Sequence, residues 1–114
     1  MAIQTVGEKN SLATKYGTDA PYAALYTTAP GATAGTEVTG GSPAYARKAL
    51  TWGAPSNGVI TATATFDVPA GTTVVGAGLH SAATAGTYLD GATVTSQAFA
   101  SQGTYALTLT FTQS

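Results

Sequence analysis

Two stretches of strict alternation constrain this chain more than anything else in it. In VITATATFDV, residues 59–68, Ile60, Ala62, Ala64, Phe66 and Val68 fall on one side, and Thr61, Thr63, Thr65 and Asp67 on the other. In GTYALTLTFT, residues 103–112, the rows are Tyr105, Leu107, Leu109 and Phe111 against Ala106, Thr108, Thr110 and Thr112. A period of two sends successive side chains to opposite faces of a strand, so each stretch is a strand with one core face and one wet face. One such strand cannot bury its apolar row alone, and a sheet packed on another sheet is the simplest partner.

The rest of the chain agrees with strands. Ala and Thr each supply about a fifth of the 114 residues and 14 Gly are spread among them, a mixture that favours strands and turns over long helices. Tyr22 to Thr28 reads as a strand apolar on both faces, and Ala44 to Trp52 as a second. The turn signal Pro55-Ser56-Asn57-Gly58 predicts an antiparallel hairpin between that second strand and residues 59–68. In TTVVGAGLHS, Val75, Ala77 and Leu79 form the expected inner row, opposite Val74, Gly76, Gly78 and His80. Two glycines on one face predict a bulge or a close approach by another group. Thr87 to Leu89 is expected as a short strand, Asp90-Gly91 as a turn and Ala92 to Phe99 as the next strand.

About seven strands at roughly 8–12-residue spacing predict an all-β fold, an antiparallel β-sandwich of jelly-roll or Ig-like kind, with a small barrel as the alternative. Its core is expected from Leu25, Leu50, Trp52, Ile60, Phe66, Val75, Leu79, Leu89, Phe99, Tyr105, Leu107, Leu109 and Phe111. Residues 1–114 are expected to form a single domain, since this length supports one core. Ahead of the strands, residues 1–20 hold a short helix that can serve as a docking arm. Thr5 and Glu8 have capping-box spacing, Val6, Leu12, Ala13 and Tyr16 share a face, and Gly17 offers a C-cap. Residues 29–43, APGATAGTEVTGGSP, are a long loop with Val38 as its one large aliphatic residue.

Only 8% of the residues are charged, the net charge is −1, and Cys is absent. Scattered basic residues build no cationic stripe, so nucleic acid is not an expected partner. Without Cys there is no disulfide framework, thiol nucleophile or cysteine zinc site. The apolar runs are too short for a membrane span, and the N-terminus lacks a signal-peptide h-region.

Catalytic constellations are equally thin. The single histidine, His80, has Ser81 beside it but no nucleophile motif, and reads as a strand-end residue that is half exposed or hydrogen-bonded. Asp19, Glu37, Asp67 and Asp90 occupy turns or wet faces, where carboxylates ordinarily serve solubility. No spacing suits a metal, and the glycine runs lack the residues of a phosphate loop, so no cofactor is expected. Arg47 and Lys48 point to opposite faces of their strand. The one of them that looks toward the side of Leu50 and Trp52 is either an edge charge or one half of a salt bridge to Glu37 or Asp67 that pins the long loop. Tyr22, Tyr26, Tyr45 and Tyr88 offer rings for sugar stacking, although core or interface packing is their commoner use.

Read in order, KNSLATKYG, then ALYTTAPGATAGTEVTGGSPAYARKALTWGAPSNGV, then TFDVPAGTTVVGAGLHSAATAGTYLDGATVTSQAFASQGTYALTLTFT resemble a family of small virion proteins of tailed bacteriophages, especially those of actinobacteria. Its most specific piece runs from Leu25 through Trp52. Members are commonly labelled tail-fibre-like or minor tail proteins. The resemblance implies a non-enzymatic structural subunit, assembled in the host cytoplasm into the virion in multiple copies, as a minor tail or fibre component or a capsid decoration. Partners would be other copies of itself and other phage structural proteins of the tail or the major capsid shell, with no membrane involved. In that setting Glu37, Val38, Tyr45 and Arg47 are the expected interface residues. The alternative is a host-surface carbohydrate-binding adhesin module.

Overall fold

The computed structural model describes residues 4–112. Helix α1 spans Val6–Asp19, and six strands follow: β1 Tyr22–Tyr26, β2 Lys48–Ala49, β3 Val59–Val68, β4 Thr72–His80, β5 Tyr88–Phe99 and β6 Gly103–Thr112. They form two antiparallel sheets, one of four strands in the order β2-β1-β4-β5 and one of two, β3-β6. The two alternating stretches of the sequence are the two-stranded sheet, in register from Val59 against Thr112 to Val68 against Gly103. Their rows lie as the alternation requires. Ile60, Ala62, Phe66, Val68 and Leu107 are buried, while Thr61, Thr63, Thr65, Thr108 and Thr110 face solvent.

The sandwich has six strands rather than seven because two expected strands merge into β5, and a third, β2, is much shorter than expected and pairs differently. The stretch Ala44 to Trp52 keeps only Lys48–Ala49 as strand, and β2 pairs with β1, not with β3. The turn at Ser56 to Val59 does form, and Gly53 N–H reaches Thr61 O at 3.0 Å, but the ladder goes no further. β3 takes β6 as its partner because their two apolar rows match over ten residues. Likewise Thr87 to Phe99 is not two strands around an Asp90-Gly91 turn. β5 runs straight through, with Asp90 opposite Leu79 and Gly91 opposite Gly78. β1 ends at Tyr26, two residues short of expectation.

The glycine face of β4 is explained by both expected causes. A register shift between Val74 and Gly76 marks a bulge, which turns Val74 into the core and leaves Val75 half-buried, the reverse of the predicted row. Beyond the bulge Ala77 and Leu79 point inward as expected. On the other face the Tyr26 ring lies along the strand over Gly78, Pro30 of the long loop covers Gly76, and the Tyr88 hydroxyl and Pro30 sit on Gly91. A side chain at any of the three would occupy the space these groups fill. The sheet thus has no wet face here, and β1 is buried on both sides.

The core gathers Leu25, Val38, Phe66, Val68, Val74, Ala77, Leu79, Phe99 and Leu107, with Tyr45, Leu50, Trp52, Tyr105 and Leu109 packed against it. Leu89, expected inside, is exposed, because it falls at the second irregularity between β4 and β5, near Leu79 and His80.

Thr5 caps α1 as its spacing predicts, accepting the Glu8 N–H at 3.3 Å. The helix does not stop at Gly17; it continues to Asp19. Gly17 is required for contact rather than for termination, since a Cβ there would lie 3.0 Å from two carbons of the Trp52 indole. The indole N–H donates to Ala20 O at 3.0 Å, and Asn10 Oδ1 accepts the Gly58 N–H at 2.8 Å, so the second turn of the helix and its C-terminal end are both tied to the sandwich. A 14-residue helix with Gly inside it holds its shape through such docking.

Gly78→Ala forces a methyl into the Tyr26 ring and is expected to cost about 2–3 kcal/mol. Gly7→Ala, in the same chain but with open space around it, is expected to stabilise by up to about 1 kcal/mol. Thermal unfolding of the two variants checks the contrast, and equal effects would contradict the packing described.

Candidate functional site

After β1 the chain crosses from residue 27 to residue 47 with little regular structure, and its shape is set by side chains. Thr27 N–H donates to Thr36 O at 2.7 Å and Val38 N–H to Leu25 O at 3.1 Å, so residues 36–38 run beside β1. Val38 then drops into the core, where it is 2% exposed. Its neighbour Glu37 points the other way, as adjacent residues in extended chain must.

There Glu37 meets Arg47 in a two-pronged ion pair. Arg47 Nε donates to Oε2 at 3.0 Å and Nη2 to Oε1 at 2.9 Å. Paired forks of this kind are the strongest protein hydrogen bonds between side chains. Arg47 Nη1 donates further, to Ala82 O at 3.0 Å and Ala85 O at 2.8 Å. One guanidinium therefore holds the long loop and the loop after β4 together. Tyr45 completes the group. Its hydroxyl donates to Glu37 Oε2 at 2.9 Å and accepts the Leu25 N–H at 2.9 Å, while its ring lies parallel to Phe66 at 6.0 Å. Glu37, Val38, Tyr45 and Arg47, picked out from sequence, are thus one contiguous unit. Of the salt bridges considered for Arg47 or Lys48, the one between Arg47 and Glu37 forms.

The electrostatics follow. Burial pushes the Glu37 carboxyl up, but hydrogen bonds from Arg47 and Tyr45 and the Arg47 charge outweigh it and leave the group below its ordinary value. The hydrogen bond to Glu37 raises Arg47. Tyr45 is raised far above a free phenol, chiefly by burial. Beside this unit, buried His80 shares a hydrogen bond through Nε2 with the Tyr26 hydroxyl, and Tyr88 stands edge-on to its ring at 5.7 Å. Burial and then the Arg47 charge lower His80, against a smaller opposite pull from Glu37. Burial first, then the Glu37 charge, raises Tyr26 to about 12.

Nucleophilic chemistry finds no geometry in this group. Ser81 Oγ accepts the Thr87 N–H at 2.8 Å and closes its own turn, while His80 Nε2 faces a phenol. The carboxylates are not gathered: Asp19 pairs with Lys15, Glu37 with Arg47, and Asp90 accepts from Tyr16. Among the described residues no cluster of three or more metal-ligating side chains occurs. What the unit presents is a surface. A shallow cleft of about 440 Å3 lies between residues 37–47 and residues 83–85, with Glu37, Val38, Tyr45 and Arg47 among its lining residues.

Two participants were not foreseen. The carbonyls of Ala82 and Ala85 carry no side-chain signal, so their role as Arg47 acceptors is invisible before folding. The pairing of His80 with Tyr26, four residue pairs apart on the ladder, was hinted at only by the intervening glycines. Of the tyrosines weighed for sugar stacking, Tyr26 is buried and Tyr22, Tyr45 and Tyr88 are half-buried.

A family model described as podophage GP4 fiber I protein gp80 matches residues 11–111. The match carries a phage fibre description but no particular association with actinobacterial hosts. No curated protein and no solved structure matches the chain.

Arg47→Ala strands a part-buried carboxylate and two carbonyls, and is expected to cost about 2 kcal/mol and lower Tm by about 8 °C or more. Acid should weaken the fold in two stages. His80 is lowered when folded, so the unfolded chain binds the proton more readily. Stability is therefore complete above pH 6.5, the ordinary histidine value, and declines as pH falls below it. Glu37 is also lowered, so its contribution is present above pH 4.5 and is lost as pH falls through the folded value. Thermal melts from pH 8 to pH 3 test both stages, and in Glu37→Gln the second should shrink.

Proposed function

The chain belongs to the family of podophage GP4 fiber I protein gp80, and from that premise we propose that it is a non-enzymatic structural subunit of a tailed-phage virion, present in multiple copies in the fibre apparatus. The observation that carries this reading is the family match over residues 11–111. The fibre description favours the tail over a capsid-decoration position. The internal pairing of the titratable groups supports a role without chemistry: Glu37, Asp90 and His80 are each engaged by a neighbour within the domain.

The surface that meets other phage structural proteins is, on this reading, the one shaped by Glu37, Val38, Tyr45 and Arg47. Docking onto a partner is cheapest when the loop is already ordered, because little conformational entropy is then lost on binding. Here Arg47 performs that ordering for two loops at once. The helix, tied down through Trp52 and Asn10, offers a second fixed surface that includes exposed Val6 and Leu12. The carbohydrate-binding alternative gains less support, since three of the four rings weighed for it are packed within the domain: Tyr45 lies parallel to Phe66, and Tyr26 and Tyr88 stand edge-on to each other and to His80.

Cryo-electron microscopy of purified particles is the direct test. Density for the chain at the tail fibres, in several copies, is the expected result, with the 37–47 loop against a neighbouring protein. Particles from an Arg47→Ala phage are expected to carry less of the subunit. Wild-type particles without the chain, or full incorporation of the variant with unchanged Tm, would refute the reading.

A further inference from the structure

The sandwich is unequal: four strands face two. β3 is flanked by β6 on one side and by residue 53 on the other, through Gly53 N–H to Thr61 O. Among the described residues β6 has β3 as its one partner, and β5 ends the larger sheet. Leu79 and Ala77 point into the core, so Asp90 and Ala92, their cross-strand partners on β5, point to the same inner side, with Val94 two residues on. Yet Asp90 and Ala92 are exposed and Val94 is half-buried. The inner side of β5 therefore overhangs, with no strand beneath it. A groove of about 330 Å3 lies there, lined by residues 77–79 of β4, 90–94 of β5 and 107–111 of β6, and closed at its helix end by Tyr16, stacked on Phe111, and by Trp52.

We infer that a second copy of this chain fills that groove, each copy laying its overhanging β5 beside the free edge of the other's β6. The fit is reciprocal. Rotating one copy by 180° about an axis parallel to the strands, midway between the layers under β5, brings its β5 next to β6 of the first. The same rotation brings β6 of the second copy next to β5 of the first. β5 and β6 are successive strands joined by the short turn 100–102 and run in opposite directions, so both new seams are antiparallel. The four-plus-two arrangement becomes two continuous six-stranded sheets, and both lone edges gain partners.

Three observations point to another copy rather than to an unrelated strand. The site is self-complementary, an overhang beside a vacancy one strand wide, which is the requirement for a closed two-fold contact. β6 has no charged residue, no Pro and no break in its ladder with β3, so it lacks the features that ordinarily keep a lone edge from pairing. The area is also sufficient. Seams about 30 Å long across two layers about 20 Å deep cover about 600 Å2 per copy, the lower end of specific interfaces. Asp90 is the one charge on β5, and it is engaged by the Tyr16 hydroxyl at 2.7 Å at the helix end of the groove.

The inference rests on the multi-copy reading above, but its test is separate. Sedimentation equilibrium of the purified chain is expected to give a reversible dimer, twice 11.2 kDa. Ala92→Glu places a carboxylate that is solvated in the monomer and buried at the two-fold axis. It is expected to weaken the dimer at least tenfold, while Thr63→Glu on the outer face of β3 leaves it unchanged. Should Ala92→Glu disturb folding, amide hydrogen exchange of the wild-type chain at low and high concentration decides the matter. Protection gained on concentration should fall in β5 and β6, residues 88–99 and 103–112. A chain that stays monomeric, or protection gained elsewhere, overturns the dimer. A monomer that is nevertheless found in the fibres would sink the dimer alone. A dimer missing from particles would sink the virion reading alone.

Discussion

Much of this molecule depends on how one guanidinium distributes its donors. A segment of some twenty residues rich in Gly, Ala and Thr has little apolar surface with which to hold itself in place, and Val38 is its one large aliphatic anchor. Arg47 is its main polar clamp, with two donors on the Glu37 carboxylate and a third nitrogen on the carbonyls of Ala82 and Ala85. Lysine has no planar fork with which to do this. Because Tyr45 adds its hydroxyl to the same carboxylate and packs its ring on Phe66, the surface loop is mechanically joined to the core.

The same segment explains the glycine-rich face of the larger sheet. A loop laid across a sheet needs a flat bed, and Gly76, Gly78 and Gly91 provide one for Pro30, Tyr26 and Tyr88. Tyr26 reaches along the bed to His80, and Tyr88 donates to Gly31 O at 2.8 Å. Covering one face of the larger sheet with a loop, and only part of the other with two strands, leaves the overhang of β5. The unequal layers and the long loop are therefore two consequences of the same choice of cover.

How much of this was legible varied with the range of the interaction. β3 and β6 were readable to the residue, because alternation is a property of consecutive side chains. The Thr5 and Glu8 cap was readable for the same reason. β2 was overestimated because Ala44 to Trp52 alternates well enough, but Tyr45 and Arg47 are drawn into side-chain bonds with Glu37 instead of a ladder. Asp90-Gly91 has the composition of a turn, yet Gly91 answers to Tyr88 and Pro30, which are distant in sequence. Glu37, Val38, Tyr45 and Arg47 stood out because charges and large aliphatic groups are scarce around them. Their union, and the Ala82 and Ala85 carbonyls, did not.

The sequence by itself determined the class of fold, an antiparallel sandwich behind a short helix, and the absence of any familiar catalytic spacing, since both are carried by local periodicity and residue type. The tertiary structure alone decided which strands pair, which of two acids Arg47 binds, and that a strand's width of groove is left open beside β6. Those outcomes turn on contacts between residues tens of positions apart, where the matching of rows and the room around each backbone select among arrangements that the local pattern leaves equivalent.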